Sequence, residues 1–301
     1  MIPSSVYTGR FAPSPSGPLH AGSLLTAVAS YVDARAQGGR WLVRMEDIDP
    51  PREMPSADRH ILHTLEQHAL YWDGEVMYQS ARSVQYQTVL EELHSRQLTY
   101  RCGCNRARLA SLGHCYDGYC RSHPCAEALP AAIRLKVSEL PNGEQLAAVM
   151  TFKDRIQGLV TADLATDSGD FVIHRKDGWF AYQLAVVVDD IAQGITDIVR
   201  GSDILEATPR QLFLTALLKA APPRYAHVPV LLGADGQKLS KQNHAPALDV
   251  TTPSANLCTT LAQLGQKPPR ALAAETPATV LAWAVANWSL DAIPRQAGLT
   301  G

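Results

Sequence analysis

The sequence predicts an α/β fold: a parallel sheet, cut by an insertion and closed by a short helical C-terminal region. Three observations carry this. Strand-like and helix-like segments alternate through the first hundred residues, as parallel strands joined by crossover helices require. The alternation stops near residue 99, and five of the six cysteines then fall between Cys102 and Cys125. It resumes near Gly178 and runs to a loop bearing two lysines. Four units are expected on this reading: 1–98, 99–172, 173–245 and 246–301.

Each element has its own warrant. Residues 5–11 read as a first strand, and the Ala-Pro-Ser-Pro-Ser-Gly-Pro stretch after it as a loop, because proline and glycine break both regular structures. From Leu19 to Ala36 small and apolar residues run without a breaker, so this is a buried helix, ended by Gly38-Gly39. Arg40–Met45 is a second strand, with Glu46-Asp47-Ile48-Asp49 at its carboxyl end. Residues 55–71 and 81–97 pattern as helices. Within the insertion, Ala132–Val137 is strand-like. Beyond it come a helix over Ala181–Ile191, a strand over Thr196–Arg200, a helix over Pro209–Ala220, the lysine loop, and helices over 254–266 and 275–287.

Composition excludes several classes. With 46% hydrophobic and 19% charged residues the chain is an ordinary globular protein rather than a disordered one. No apolar run reaches the roughly eighteen residues of a membrane span, and Met1–Ser5 has no basic start before an apolar core, so a cytoplasmic location is expected. A net charge of −2 does not mark a general nucleic-acid binder; any RNA contact has to come from a local cluster such as Arg101, Arg106, Arg108 and Arg121.

Two segments carry the chemistry. The first runs from Gly9 to Ser23 and opens the first helix, where free backbone N–H groups can meet phosphate. Gly17 permits a sharp turn, Gly22 allows close approach of a flat base, and His20 offers a donor to the phosphates. The second is Gly236-Gln237-Lys238-Leu239-Ser240-Lys241, after a turn at Gly233–Gly236. Two ammonium groups three residues apart suit the charge that builds on a departing pyrophosphate. In the cysteine cluster, Cys102-Gly103-Cys104 puts two thiols on one turn and Cys120 adds a third. Such clustering favours a closed structural metal site over disulfides. Chemistry alone ranks Cys115 or Cys125 ahead of Tyr116 as the fourth ligand, and His114 and His123 are plausible too.

Pro18-Leu19-His20-Ala21-Gly22-Ser23 and Lys238-Leu239-Ser240-Lys241 resemble the two signatures of class I aminoacyl-tRNA synthetases. Gly9–Gly17, Arg44–Asp49, Val187–Asp190 and Val199–Asp203 resemble the glutamyl and glutaminyl branch, and the likeness covers roughly residues 5–245. That branch continues into a large anticodon-binding region, whereas about sixty residues follow Lys241 here. A free-standing core with a compact cysteine cluster resembles the glutamyl-queuosine tRNA(Asp) synthetase family. The resemblance implies a Rossmann-like catalytic domain with an acceptor-type insertion. It also implies a ligase that activates L-glutamate with ATP and Mg²⁺, without tRNA, and transfers it to the queuosine base at the wobble position of tRNA(Asp). By the same resemblance His20, Lys238 and Lys241 are catalytic, and His20, Gly22 and Lys241 bind ATP. Arg10, Phe11, Ala12, Pro13, Ser14, Glu46, Tyr182 and Arg200 bind glutamate, and Cys102, Cys104, Tyr116 and Cys120 hold one structural Zn²⁺. The roles suit a substrate with two carboxylates and one ammonium: two arginines grip the carboxylates and Glu46 holds the ammonium. Val186 stands where several glutamyl-tRNA synthetases carry an Asn four residues after this Tyr, which implies a weak grip on glutamate. A monomer is expected. The competing readings are a conventional synthetase charging a tRNA 3′ end, a catalytically silent RNA-binding paralogue and a small-molecule adenylate-forming ligase.

Overall fold

The computed structural model describes residues 6–138, 147–233, 236–239 and 246–300. Strand β1 (Thr8–Phe11) leads through the proline-rich loop into α1 (Ala21–Ala36), and β2 (Arg40–Met45) follows. The helix starts where His20 turns extended and its Nδ1 accepts the Ser23 N–H at 3.3 Å, satisfying one of the amides a helix start leaves open. Leu24, Leu25, Val28 and Val32 are fully enclosed, which explains the apolar character of α1 on most of its faces. It ends at Gly38, whose φ of +63° is the left-handed conformation of a helix terminus. Beyond β2 come α2 (Ala57–Gln67), the short β3 (Met77–Tyr78) and α3 (Ser83–Ser95); β1, β2 and β3 pair in parallel.

The insertion comprises β4 (Thr99–Cys102), the short helices α4 (Arg106–Ser111) and α5 (Tyr119–Ser122), β5 (Ala132–Leu135), β6 (Val149–Asp154), β7 (Gly158–Asp163), α6 (Leu164–Asp167) and β8 (Phe171–His174). Strands β4, β5 and β8 form an antiparallel sheet, and β6 and β7 an antiparallel hairpin that the sequence pattern did not single out. Strand β8 straddles the boundary expected after residue 172. The hairpin reaches back to the main sheet, since the Arg155 amide donates to the Tyr225 carbonyl at 2.8 Å.

The chain then returns through α7 (Tyr182–Ala192), β9 (Asp197–Gly201), α8 (Thr208–Leu217) and β10 (Arg224–Val228), with β9 and β10 parallel. The Thr196 amide donates to the Thr8 carbonyl at 3.0 Å and sets β9 beside β1. The order β10-β9-β1-β2-β3 results, with a seam between the halves at β1 and β9, the kind of place where open α/β sheets bind ligands. Pro229 breaks the apolar run Tyr225–Leu232 into β10 and β11 (Val230–Leu232), a division the sequence reading left out. Helices α9 (Pro253–Gln263) and α10 (Pro277–Asn287) each carry proline in the first turn. They join α1, β1 and β2 in one apolar core, while α3, α7, α8, β5 and β8 share a second. The C-terminal region departs from the wholly helical one expected above: β12 (Gly298–Thr300) pairs in parallel with β11. A buried carboxylate ties these parts together. Asp33 of α1 accepts from Tyr7 Oη (2.5 Å), from both Arg155 Nη atoms (2.6 and 3.1 Å) and from Trp288 Nε1 (3.1 Å). Among the described residues no helix is long and apolar enough to cross a membrane.

Candidate active site

A cavity of about 480 Å³ opens beyond the carboxyl ends of β1, β2 and β9. All eight residues of the expected glutamate set line it, and so do His20, Gly22 and Lys238. The two motifs therefore meet across one space. Gly17 adopts φ +135°, a conformation side chains rarely take, and so turns the proline-rich loop over the cavity. Gly22 also has a packing reason to be bare. A Cβ there would lie 3.1 Å from His20 Cε1 and 3.7 Å from the Leu239 carbonyl oxygen, so its bareness seats the histidine and the lysine loop against each other. Beyond the loop the Leu248 amide donates to the Leu19 carbonyl at 3.0 Å. His20 Nδ1 is the acceptor that caps α1, which places the neutral ring's proton on Nε2. Lys238 forms an ion pair with Asp203 at the cavity wall. The Gly236 amide closes the turn on the Gly233 carbonyl. Lys241 lies outside the described residues.

The arginines of the cavity stand in different surroundings. Arg10, 4% exposed, donates from Nε and Nη2 to the two oxygens of Asp190 at 3.2 and 3.3 Å. The Nε side of its guanidinium is thus engaged by the protein itself, which leaves the Nη1 donors and one on Nη2. Arg44, fully buried, donates to the same Asp190 at 2.8 Å and to Glu46 Oε1 at 3.2 Å. Burial alone raises the Asp190 carboxyl, but Arg10 and Arg44 outweigh it and hold the group below its ordinary value. For Glu46 burial wins over the two arginines, and its carboxyl is raised.

Arg200, 3% exposed, donates from Nε to His227 Nε2 at 2.9 Å, from Nη1 to Gln211 Oε1 at 2.7 Å and from Nη2 to Thr208 Oγ1 at 2.7 Å. These partners carry no negative charge, and among the described residues Arg200 has no carboxylate partner. A buried cation so placed is stabilised when an anion enters the cavity. Tyr182, at the start of α7, faces the same space, and burial raises its phenol. One turn on, Val186 is 1% exposed within the second apolar core and does not line the cavity.

Sequence reasoning missed Asp190, Arg44, His227, Gln211 and Thr208 as parts of this site. Asp190 had a visible signal, an acid at the end of the otherwise apolar Leu184–Val188 run. His227 had none, because its place depends on the register of β10 on β9.

In the insertion, the thiols of Cys102, Cys104 and Cys120 lie within 4.8 Å of one another. Cys104 Sγ is 3.5 Å from Cys120 Sγ, and Tyr116 Oη is 3.5 and 3.6 Å from Cys102 and Cys104 Sγ. A tetrahedron with 2.3 Å metal–sulfur bonds has edges of about 3.8 Å, so the three thiols are close enough to share one metal ion, with the Tyr116 phenol beside them. Tyr116 is held there by its backbone: its amide donates to the Ser168 carbonyl at 3.0 Å, and Gly169, at φ +63°, has no room for a side chain against it. Burial and the surrounding thiols raise the Tyr116 phenol, while hydrogen bonding from Tyr116 and Arg134 brings Cys102 down to about 7 against the effect of burial. Of the rival ligands, Cys115 turns its thiol to the Ala165 carbonyl, and His123 stacks on Tyr119 with 4.1 Å between ring centres. In the basic cluster Arg108 pairs with Asp117 and Arg121 with Asp170, while Arg101 donates to the Glu127 and Leu129 carbonyls.

The family model for class I tRNA synthetases (E and Q), catalytic domain, matches residues 6–252. The chain is 52% identical over 296 residues to a glutamyl-Q tRNA(Asp) synthetase of Pseudomonas aeruginosa (strain LESB58), covering 98% of each. It is 50% identical over 293 residues to one of Pectobacterium atrosepticum, covering 97% of this chain and 88% of that one. A crystal structure of a glutamate tRNA ligase from Elizabethkingia meningosepticum, in complex with its amino acid, superposes with a TM-score of 0.79 at 23% identity. The match covers 98% of this chain and 66% of that ligase, and it shows the fold.

Proposed function

The chain belongs to the class I tRNA synthetases of the glutamate and glutamine branch, and on that footing we propose that it makes glutamyl-adenylate from L-glutamate and ATP and transfers glutamate to the queuosine base at the wobble position of tRNA(Asp). The observation that carries the amino-acid part is Arg200, a buried guanidinium without a carboxylate partner among the described residues, facing Tyr182 and Glu46 across one cavity. The α-carboxylate of glutamate attacks the α-phosphorus of ATP and pyrophosphate leaves. The protein's part is to position the reactants and to meet the charge that develops. His20 Nε2–H, the first amides of α1, Lys238 and Lys241 share the phosphates, with Mg²⁺ arriving on ATP. A queuosine hydroxyl then attacks the carbonyl carbon of the mixed anhydride, forming an ester as the acyl–phosphate bond breaks and AMP and a proton leave. Arg10, fixed by Asp190, offers its remaining N–H groups to the substrate, and Glu46 offers an acceptor to the ammonium. Phe11, Ala12, Pro13 and Ser14 form the rest of the amino-acid wall.

Cys102, Cys104, Tyr116 and Cys120 would hold one zinc ion, which closes the insertion structurally and leaves no open position for water. A Cys102→Ser variant that keeps full zinc stoichiometry overturns this assignment. The protein acts as a cytoplasmic monomer on this reading.

The deciding experiment measures pyrophosphate exchange with glutamate in the absence of tRNA, then transfer of labelled glutamate to tRNA(Asp) with and without queuosine. Exchange without tRNA and label only on the queuosine-containing tRNA are expected. Label on the queuosine-lacking tRNA, at its 3′ end, favours a conventional synthetase instead.

A further inference from the structure

We propose that His227 is a positioning residue of the amino-acid site, which as a neutral ring protonated on Nδ1 holds the Arg200 guanidinium in the orientation that meets a substrate carboxylate. The inference rests on reading the cavity as a glutamate site. Its basis is geometric. His227 and Arg200 are direct partners in the parallel pairing of β10 with β9, so their side chains leave the same face of the sheet. Arg200 Nε, 2.9 Å from His227 Nε2, can only donate, so Nε2 must be the acceptor and the ring proton must sit on Nδ1. That proton has a fixed destination, Asp154 Oδ2 at 2.6 Å.

Asp154 is held in turn. Its Oδ1 accepts the amides of Ile156 (2.9 Å), Gln157 (2.8 Å) and His227 itself (3.2 Å). The hairpin end thereby sets the tautomer, and the tautomer sets the arginine. Thr208 Oγ1, 3.2 Å from Nε2, accepts from Arg200 and can donate to the ring.

The groups that face His227 come from every neighbouring element. Asp154 lies on β6, Arg200 on β9 and Thr208 on α8, and the Tyr225 ring of β10 is stacked 5.9 Å away. Arg10 of β1 adds positive potential. Burial, with Arg200 and Arg10, lowers the ring's affinity for a second proton, and Asp154 opposes them without prevailing. Protonation would turn the acceptor into a donor aimed at a guanidinium, two cations in a site with no exposed surface on the ring. Glutamate binding therefore weakens as pH falls, while the ATP site is untouched.

Two variants separate this role from mere support of Asp154. His227→Asn keeps an N–H where Nδ1 donates to Asp154 and removes the acceptor for Arg200. His227→Gln places an amide oxygen near Nε2 and does not titrate. Glutamate-dependent pyrophosphate exchange is measured for the full chain and both variants from about pH 8 to about pH 5, with KM for glutamate and for ATP determined separately. The expected results are a glutamate KM raised about tenfold in the Asn variant, the scale of one lost hydrogen bond to a charged group, an unchanged ATP KM, and substantial rescue by Gln. Any rise of the wild-type glutamate KM toward acid is steeper than that of the Gln variant, in which Glu46, whose carboxyl burial raises, still titrates. A glutamate KM unchanged in the Asn variant, a parallel rise in both KM values, or a Gln variant as impaired as Asn overturns the proposal. Wild-type protein with no glutamate-dependent exchange at all overturns the underlying reading of the cavity, and this inference with it.

Discussion

On one side of the cavity Arg10 and Arg44 share Asp190 and Glu46, two cations against two anions, and the wall is balanced before any substrate arrives. On the other side Arg200 is ringed by an imidazole, an amide and a hydroxyl, and its balance comes from outside. The same residue type thus does two jobs. The first wall stabilises the fold and offers its leftover donors. The second is costly to the fold and committed to the ligand. Stability and substrate recognition should therefore respond to different substitutions, although the two guanidinium groups line one cavity.

The largest effect on stability is expected at the balanced wall. Asp190→Ala leaves two buried arginines short of a counter-charge, and urea unfolding should show a loss of about 3–5 kcal/mol. A loss under about 1 kcal/mol would show the wall to be less charge-balanced than its geometry indicates. Next comes Arg200→Ala, which should cut kcat/KM for glutamate by about 10³-fold, or roughly 4 kcal/mol, while leaving the urea midpoint unchanged or raised. A midpoint that falls as far as in the Asp190 variant erases the distinction between the walls. The smallest effect concerns pH. His227 is less readily protonated in the fold than in the unfolded chain, whose histidine titrates near ~6.5. Unfolding therefore takes up a proton below that value, and stability falls as pH drops from about 6.5, by at most about 1.4 kcal/mol per unit. Asp190, held below its ordinary value, loses its contribution only at far lower pH, as it is protonated in the fold. Thermal melts from about pH 8 to about pH 5.5 should show a shallower slope in His227→Gln, the remainder coming from His68 and His174, which burial lowers in the same direction; an unchanged slope removes His227 as a contributor.

Much of the architecture was legible because it rests on local signals. The alternation of periodic segments marks β1, α1 and β2, and Gly38 and the proline-rich loop punctuate them. Arg10, Glu46 and Arg200 were placed in one site by the family resemblance alone; the parallel sheet accounts for it, since each stands at or near the carboxyl end of a strand. What stayed hidden was set by distant pairings. His227 reaches Arg200 through strand register, and Asp154 reaches His227 through a hairpin of the insertion. Three-residue strands such as β11 and β12 carry no periodicity to read. Residue preference ranks Cys115 above Tyr116 at the metal site, while the turn fixed by Gly169 puts the phenol, not that thiol, among the sulfurs.

The Asp33 carboxylate has a consequence for how the chain comes together. Its partners are drawn from Tyr7, Arg155 and Trp288, and the last lies 255 residues downstream. During synthesis α1 emerges early with an acid that finds Tyr7 at once and Arg155 midway, but whose set of partners is complete only once Trp288 has left the ribosome. Closing so long a loop is entropically slow, so the final collapse around this helix should be a late and highly cooperative event.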